Sequence, residues 1–187
     1  ALPADRAFPF FLTPDNKSIP PYTEAIAMKY GWVWKIPLQE RYGCGYVYDS
    51  KYITNQQAKE EVLSLFPNAT FPREEPFKFS AGNYKDTWVN NCIALGLSSG
   101  FFEPLEATSI WATIHSLITL CDNCLPGLFN RDKNYIDSYN KIINKSNLII
   151  ENFLQLHYIT KRNDTEFWKN FKESNKIHSE FEILPSK

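Results

Sequence analysis

The sequence predicts an α+β fold, or an α+β part of a larger α/β protein, in which a mixed or antiparallel sheet precedes a helical region. Two observations carry this. Short alternating or aromatic runs divided by turn residues fill the first half, and apolar residues at helical spacing fill the second. Strands and helices do not alternate regularly, as a parallel βαβ array would require.

The elements follow in order. Ala7 to Leu12 (AFPFFL) reads as a strand that ends at the turn-forming Thr13-Pro14-Asp15-Asn16-Lys17. Ala25 to Met28 and Trp32 to Ile36 read as two strands joined by a tight turn, where Gly31 can supply φ > 0. Side-chain alternation places Trp32, Trp34 and Ile36 on one face and Val33 and Lys35 on the other. Pro37 has no N–H to donate, so the strand should end there or lie at an edge. Gly45 to Tyr48 is the next strand. Asn55 to Phe66 is a helix with Ala58, Val62 and Leu65 inward, stopped by Pro67. Phe77 to Phe79 alternates as a strand, and Trp88 to Leu97 is mostly apolar.

The Gly96-to-Gly100 loop followed by Pro104 is a helix-start signal. A helix running to about Leu120 would stack Ile110, Ile114, Leu117 and Ile118 on one face. Pro126-Gly127 should break it. A long helix is expected from Asp132 to about Tyr158, and a last one from Asp164, whose carboxylate could cap the N–H groups near Phe167.

Charge excludes several function classes. The 187 residues carry 20 Lys+Arg against 21 Asp+Glu, and neither half departs from balance. This argues against a nucleic-acid-binding face or a basic membrane anchor. At 43% hydrophobic and 16% aromatic the chain is too apolar for disorder. It holds no apolar run of about 20 residues such as a bilayer requires. Four cysteines make no disulfide framework, and Cys121-x-x-Cys124 without a second pair or a nearby His reads as a helix end bearing two thiols rather than a metal or redox centre. The cytoplasm is the default compartment.

No G-x-G-x-x-G, P-loop or H-E-x-x-H is present. The segment from Gly100 to Ile110 (GFFEPLEATSI) holds the one pattern with chemical content. Backbone N–H groups at a helix start favour an anion, and Thr108 and Ser109 lie close to that start. Glu106 has two readings. It is either a carboxylate among apolar neighbours, tuned for acid–base work, or, like Glu103, a solvated first-turn acid that complements the helix dipole. Spacing alone favours the second. Trp32-x-Trp34 is core packing on spacing alone, or the wall of a planar aromatic site. His115 reads as a satisfied helix histidine, and His157 and His178 show no positioned partner.

Gly31-Trp32-Val33-Trp34-Lys35-Ile36-Pro37 resembles the W-x-W-x-I-P signature of the flavin-dependent halogenases of the tryptophan-halogenase type. Pro21-Tyr22-Thr23 before it and Gly45-Tyr46-Val47-Tyr48 after it resemble the flanks of that signature. Trp88-x-x-Asn91-x-x-Ala94-x-Gly96, running into Gly100-Phe101-x-Glu103-Pro104-Leu105-Glu106-x-Thr108, is similar to a second hallmark. His157-Tyr158 with Arg162-x-Asp164-Thr165-x-Phe167-Trp168 is similar to a third. The order matches over nearly the whole chain.

The resemblance implies an FAD-dependent monooxygenase-like α/β fold, of which residues 1–120 form the sheet and halide/flavin-loop part and 121–187 begin a helical substrate-side module. It implies that reduced FAD from a separate flavin reductase, O₂ and halide together form hypohalous acid, which halogenates an electron-rich aromatic such as a tryptophan or indole. Glu106 takes the place of the family's directing glutamate. Thr108 and Ser109 take the place of its halide-binding pair, and Ala107, Ser109 and Ile110 lie against the flavin. Trp32, Trp34, Ile36 and Pro37 line the tunnel that keeps organic substrate from the flavin. Metal ligands are not implied, and monomer and homodimer stay open.

Ala107 stands where the family has Ser, which removes a hydroxyl donor. Ser109 stands where it has Gly, which keeps a backbone N–H but adds a Cβ and a hydroxyl. The family's dinucleotide fingerprint and catalytic lysine would lie upstream of Ala1, and much of its substrate region beyond Lys187. The isolated 187 residues are therefore expected not to halogenate. The competing readings are a flavin hydroxylase of the same fold and a non-enzymatic binding domain.

Overall fold

The computed structural model describes residues 2–14, 19–130 and 132–174. In chain order it has β1 (Arg6–Leu12), β2 (Glu24–Ala27), β3 (Gly31–Pro37), β4 (Tyr42–Tyr48), α1 (Asn55–Leu65) and β5 (Phe77–Lys78). The short strands β6 (Gly82–Asn83), β7 (Trp88–Val89), β8 (Cys92–Ile93) and β9 (Gly100–Phe101) follow. The helices α2 (Thr108–Thr119), α3 (Leu125–Asn130), α4 (Lys133–Tyr158) and α5 (Glu166–Ser174) complete the order, so an antiparallel sheet does precede a helical region. Residues 3–80 and 159–174 form one compact unit, and residues 81–158 belong to the other.

In the sheet unit the strand order is β2-β3-β4-β1-β5, with every pairing antiparallel. Alternation sends Phe8, Phe10, Val33, Cys44, Tyr46 and Tyr48 into one core with Ala58 and Val62 of α1. Burial pushes the Cys44 thiol up to about 12, so it behaves as a packing group. A capping box starts α1: the Gln57 N–H donates to Thr54 Oγ1 and the Thr54 N–H to Gln57 Oε1. Leu65, expected inward, is 51% exposed, and Phe66 just past the helix packs on the core in its stead.

Two prolines and a glycine fix the strands. Pro37 closes β3 as expected. Pro9 sits within β1, and its nitrogen points to the same side as the Phe11 N–H, which donates to Thr70. On that side β5 pairs only with Arg6 and Ala7, so Pro9 falls where no ladder bond is required. Gly31 differs from its expected role. Its φ is not positive; a Cβ there would lie 1.9 Å from the Val47 carbonyl oxygen, so glycine serves close approach of β3 to β4.

The third hallmark also belongs to the sheet unit from Ile159 onward. Asp164 does not cap α5. Arg162 takes its carboxylate through a two-pronged contact (Nε to Oδ1 3.0 Å, Nη2 to Oδ2 2.7 Å). Arg162 Nη1 donates to the carbonyls of Ala27 and Met28, Thr165 Oγ1 to that of Lys29, and Trp168 Nε1 to that of Met28. These side chains satisfy the backbone of the β2–β3 turn, which is why the motif carries Arg, Thr and Trp.

In the helical unit, the buried Asn140 of α4 holds the β7 strand. Its Oδ1 accepts from the N–H groups of Thr87 and Trp88, and its Nδ2 donates to the Trp88 carbonyl. Trp88, Leu120, Cys124, Tyr139 and Ile143 form the core there. The helix after Pro104 begins later than expected, at Thr108, and its buried face is the opposite one. Thr108, Ser116 and Thr119 are buried, whereas Ile110, Ile114, Leu117 and Ile118 are exposed. Ser116 and Thr113 return their hydroxyls to the carbonyls of Ala112 and Ser109, so small polar residues can be buried with their donors satisfied.

Pro126-Gly127 does not end the helical path either. A π turn over Leu120–Cys124 leads straight into α3, with Pro126 in the first turn, where a missing N–H is tolerated. Gly127 is needed for packing, because a Cβ would lie 2.4 Å from Cβ of Tyr135. Cys124 is buried and Cys121 exposed. His115 is satisfied, 2.8 Å from Ser146 Oγ and stacked on Trp111. His178 lies outside the described residues.

Candidate functional site

The start of α2 is built by a turn of unusual backbone. Phe102, Glu103 and Leu105 are buried and anchor the segment, while Pro104 and Glu106 face outward. Glu106 (φ +58°) and Ala107 (φ +52°) are successive left-handed residues, and neither is glycine. Each such residue costs roughly 1 kcal/mol, strain of the kind that gathers at functional sites. The double reversal turns the chain into α2 and leaves the Glu106 side chain in solvent.

Ala107 is the N-cap, and its side chain offers no capping bond. The Ile110 and Trp111 N–H groups turn back to the Ala107 carbonyl (3.0 and 3.3 Å), and the Thr108 N–H makes a long contact of 3.4 Å to Leu105. The Ser109 N–H, and the Thr108 N–H only weakly engaged, therefore remain at the positive end of the helix. The Thr108 hydroxyl is spent on the Leu105 carbonyl at 3.1 Å, so only its amide is available to a ligand.

The hydroxyl that Ser109 adds in place of the family's Gly is turned away from the helix start. Its Oγ is buried without a partner and lines an interior cavity of about 10 Å³ shared with Ser99, Thr113, Ser116 and Asn147. The hydroxyl thus lies inside the unit, on the far side of the residue from solvent. Ile110 is exposed on the open face of α2.

Of the two glutamates, both of which spacing alone favours as solvated, only Glu103 departs from that environment. Glu103 is fully buried and accepts a hydrogen bond from Tyr158 OH, the last residue of α4. Glu106 is the exposed one, and its ionisable neighbour is His157, with Nε2 3.9 Å from Oε1. The structure thus brings Glu106, Ala107, Thr108, Ser109 and Ile110 together with His157, Glu103 and Tyr158. The last three were not assigned roles from sequence, although His157-Tyr158 and Glu103 stand within the matched hallmarks.

Trp32, Trp34, Ile36 and Pro37 belong to the sheet unit. Trp32 is buried, Trp34 half-buried and Ile36 exposed, and the two indoles lie 6.2 Å apart at 58°. Trp32, Trp34 and Ile36 occupy the face of β3 opposite the buried Val33. Gly45 is the seat of Trp34: it pairs with Trp34 across β3 and β4, and a Cβ there would lie 2.1 Å from the indole. The spacing of Gly45 before Tyr46-Val47-Tyr48 was the available signal.

Fold and motifs together define a segment similar to part of the flavin-dependent halogenases. The chain belongs to the tryptophan halogenase family, whose profile matches residues 1–184. It is 36% identical over 179 residues to the tryptophan 7-halogenase KtzQ of Kutzneria sp. (strain 744), covering 90% of this chain and 32% of that protein. The tryptophan 6-halogenase SttH of Streptomyces toxytricini is 36% identical over 175 residues, 91% of this chain and 33% of SttH. Among solved structures, BrvH, a flavin-dependent halogenase from Brevundimonas sp. BAL3, superposes with a TM-score of 0.77 at 33% identity, over 94% of this chain and 36% of BrvH. The chain spans about a third of the length of the relatives it matches.

Proposed function

We propose that the native protein carrying this segment is a flavin-dependent halogenase. It uses reduced FAD from a flavin reductase, O₂ and halide to form hypohalous acid, which halogenates an electron-rich aromatic of the tryptophan or indole type. The observation that carries the reading is the left-handed Glu106-Ala107 pair, which sets an exposed carboxylate beside the first amides of α2.

Each residue then has a part. The Thr108 and Ser109 N–H groups, at the positive end of α2, hold the halide. The residues fit a flavin neighbour: Ala107 presents little bulk and Ile110 an exposed apolar side chain at the turn, and the buried Ser109 hydroxyl leaves its amide unobstructed. Reduced FAD, when bound, supplies together with O₂ the two-electron oxidation of the halide. Glu106 directs the aromatic substrate, as an acceptor for a ring N–H or for the proton that leaves the ring. Trp32, Trp34, Ile36 and Pro37 line the passage that keeps organic substrate from the flavin. No lysine of this segment takes the family's catalytic lysine role.

The test is an assay of the native protein with FAD, a flavin reductase and a chloride and bromide series, with products read by mass. Halogenated product that requires halide is expected, and Glu106→Gln should lower its rate by about 10²- to 10³-fold. A hydroxylated product formed without halide would instead identify a hydroxylase.

A further inference from the structure

The last two residues of α4 grip both ends of the Glu103–Glu106 turn. Tyr158 OH donates to the buried Glu103, and His157 Nε2 faces Glu106 Oε1 at 3.9 Å. The His157 ring is fixed on two further sides. Its Nδ1 lies 3.0 Å from the Phe153 carbonyl oxygen, and the ring stands edge-on to the Phe153 phenyl at 4.9 Å and 85°. A carbonyl oxygen only accepts, so Nδ1 carries the hydrogen. Nε2 is then the ring's other nitrogen, and it is the one turned to Glu106.

A bare Nε2 lone pair against a carboxylate repels. The pair attracts only with a proton between the two, carried on Nε2 or on Oε1. At 3.9 Å the two atoms stand just beyond hydrogen-bond distance, and catalytic contacts that are long in the free protein tighten when substrate arrives. Glu106 needs such a brace, because it stands on a left-handed residue with its side chain in solvent.

We propose that His157 is a positioning residue for Glu106, sharing one proton between Nε2 and Oε1 and thereby holding the carboxylate in a single orientation. This rests on the reading of Glu106 as the directing carboxylate. The grip of Tyr158 on Glu103 sets the register that brings His157 opposite Glu106.

The test compares His157→Ala and His157→Gln with Glu106→Gln and the Glu106→Gln/His157→Ala double variant in the native enzyme, reading kcat and the halide KM. His157→Ala should lower kcat about tenfold with halide KM unchanged. His157→Gln, whose amide can still donate to Glu106, should recover most of that loss. On the Glu106→Gln background His157→Ala should add nothing. An unchanged kcat in His157→Ala overturns the proposal. So does a loss in His157→Gln equal to that in His157→Ala, or a full further loss in the double variant. If Glu106→Gln keeps full activity, the catalytic reading fails, and the pairing is then judged from the imidazole ¹⁵N shifts of His157. An Nδ1–H ring whose Nε2 shift moves on Glu106→Gln supports the pair, and an insensitive ring overturns it.

Discussion

In the sheet unit Phe8, Phe10, Val33, Tyr46 and Tyr48 bury against α1, whereas in the helical unit α2 turns Ile110, Trp111, Ile114, Leu117 and Ile118 outward and buries Thr108, Ser116 and Thr119. The polar groups differ in the same sense. Buried hydroxyls of the sheet unit find side-chain acceptors, Tyr46 on Glu61 and Tyr48 on Asn55. In the helical unit the Ser109 hydroxyl, both amide atoms of Asn152 and Gln155 Oε1 are buried without a partner. Consecutive left-handed non-glycine residues also occur there. The sheet unit obeys the local rules of a self-contained core, and the helical unit breaks them around the turn that carries Glu106. Local rules fail where function asks for something other than stability.

The largest expected effect lies in the self-contained unit. Gly31→Ala forces a Cβ against the Val47 carbonyl, which is backbone and cannot rotate away. The β3–β4 pair must separate, at a cost of about 3 kcal/mol. Urea unfolding of the native protein should show the loss. A variant as stable as the parent would mean that the strands are not held at this spacing.

The opposite sign is expected in the helical unit. Asn152 is 1% exposed, and neither its Oδ1 nor its Nδ2 is satisfied. Asn152→Leu keeps the branched side-chain shape and removes the desolvated amide, so it should stabilise by about 1–2 kcal/mol. Thermal unfolding measures this directly. Destabilisation would show that the amide serves a bound partner such as a buried water.

The same contrast explains what was legible in the sequence. Period-two alternation and turn residues located the long strands, and W-x-W-x-I identified the shared face of Trp32, Trp34 and Ile36, because a strand has only two faces. α4 was legible within a residue at either end. The buried side of α2 was not. Helical period separates an apolar face from a polar one, but which face is covered depends on packing, and Ser and Thr can be buried once they bond their own helix. Pro126 misled because it falls in the first turn of α3, where a missing donor is tolerated. Of the candidate site, the presence of a helix just past Glu106 was legible, although it begins at Thr108 rather than directly after Pro104. The partners were not: Glu103 and Tyr158 are 55 positions apart, and no local pattern encodes a contact at that separation. Gly31 was read as a turn residue, whereas its need arises from a neighbouring strand.

The smallest expected effect refines the claim that the sheet unit satisfies its own polar groups. The Arg162 guanidinium holds the Asp164 carboxyl down at about 2, below the ordinary value near 3.9. A carboxyl with a depressed folded value binds fewer protons folded than unfolded, so stability rises with pH across the window between the two values. The contribution is complete above about pH 4 and is lost as pH falls through about 2. Asp164 is exposed and the pair is screened by salt, so the effect is modest. It reaches the β2–β3 turn because the same guanidinium donates to the Ala27 and Met28 carbonyls. Urea midpoints measured from pH 6 to pH 2 should therefore differ between the parent and Asp164→Asn at the upper end and converge toward the lower. Equal midpoints at pH 6 would mean that Arg162 satisfies the turn without help from Asp164.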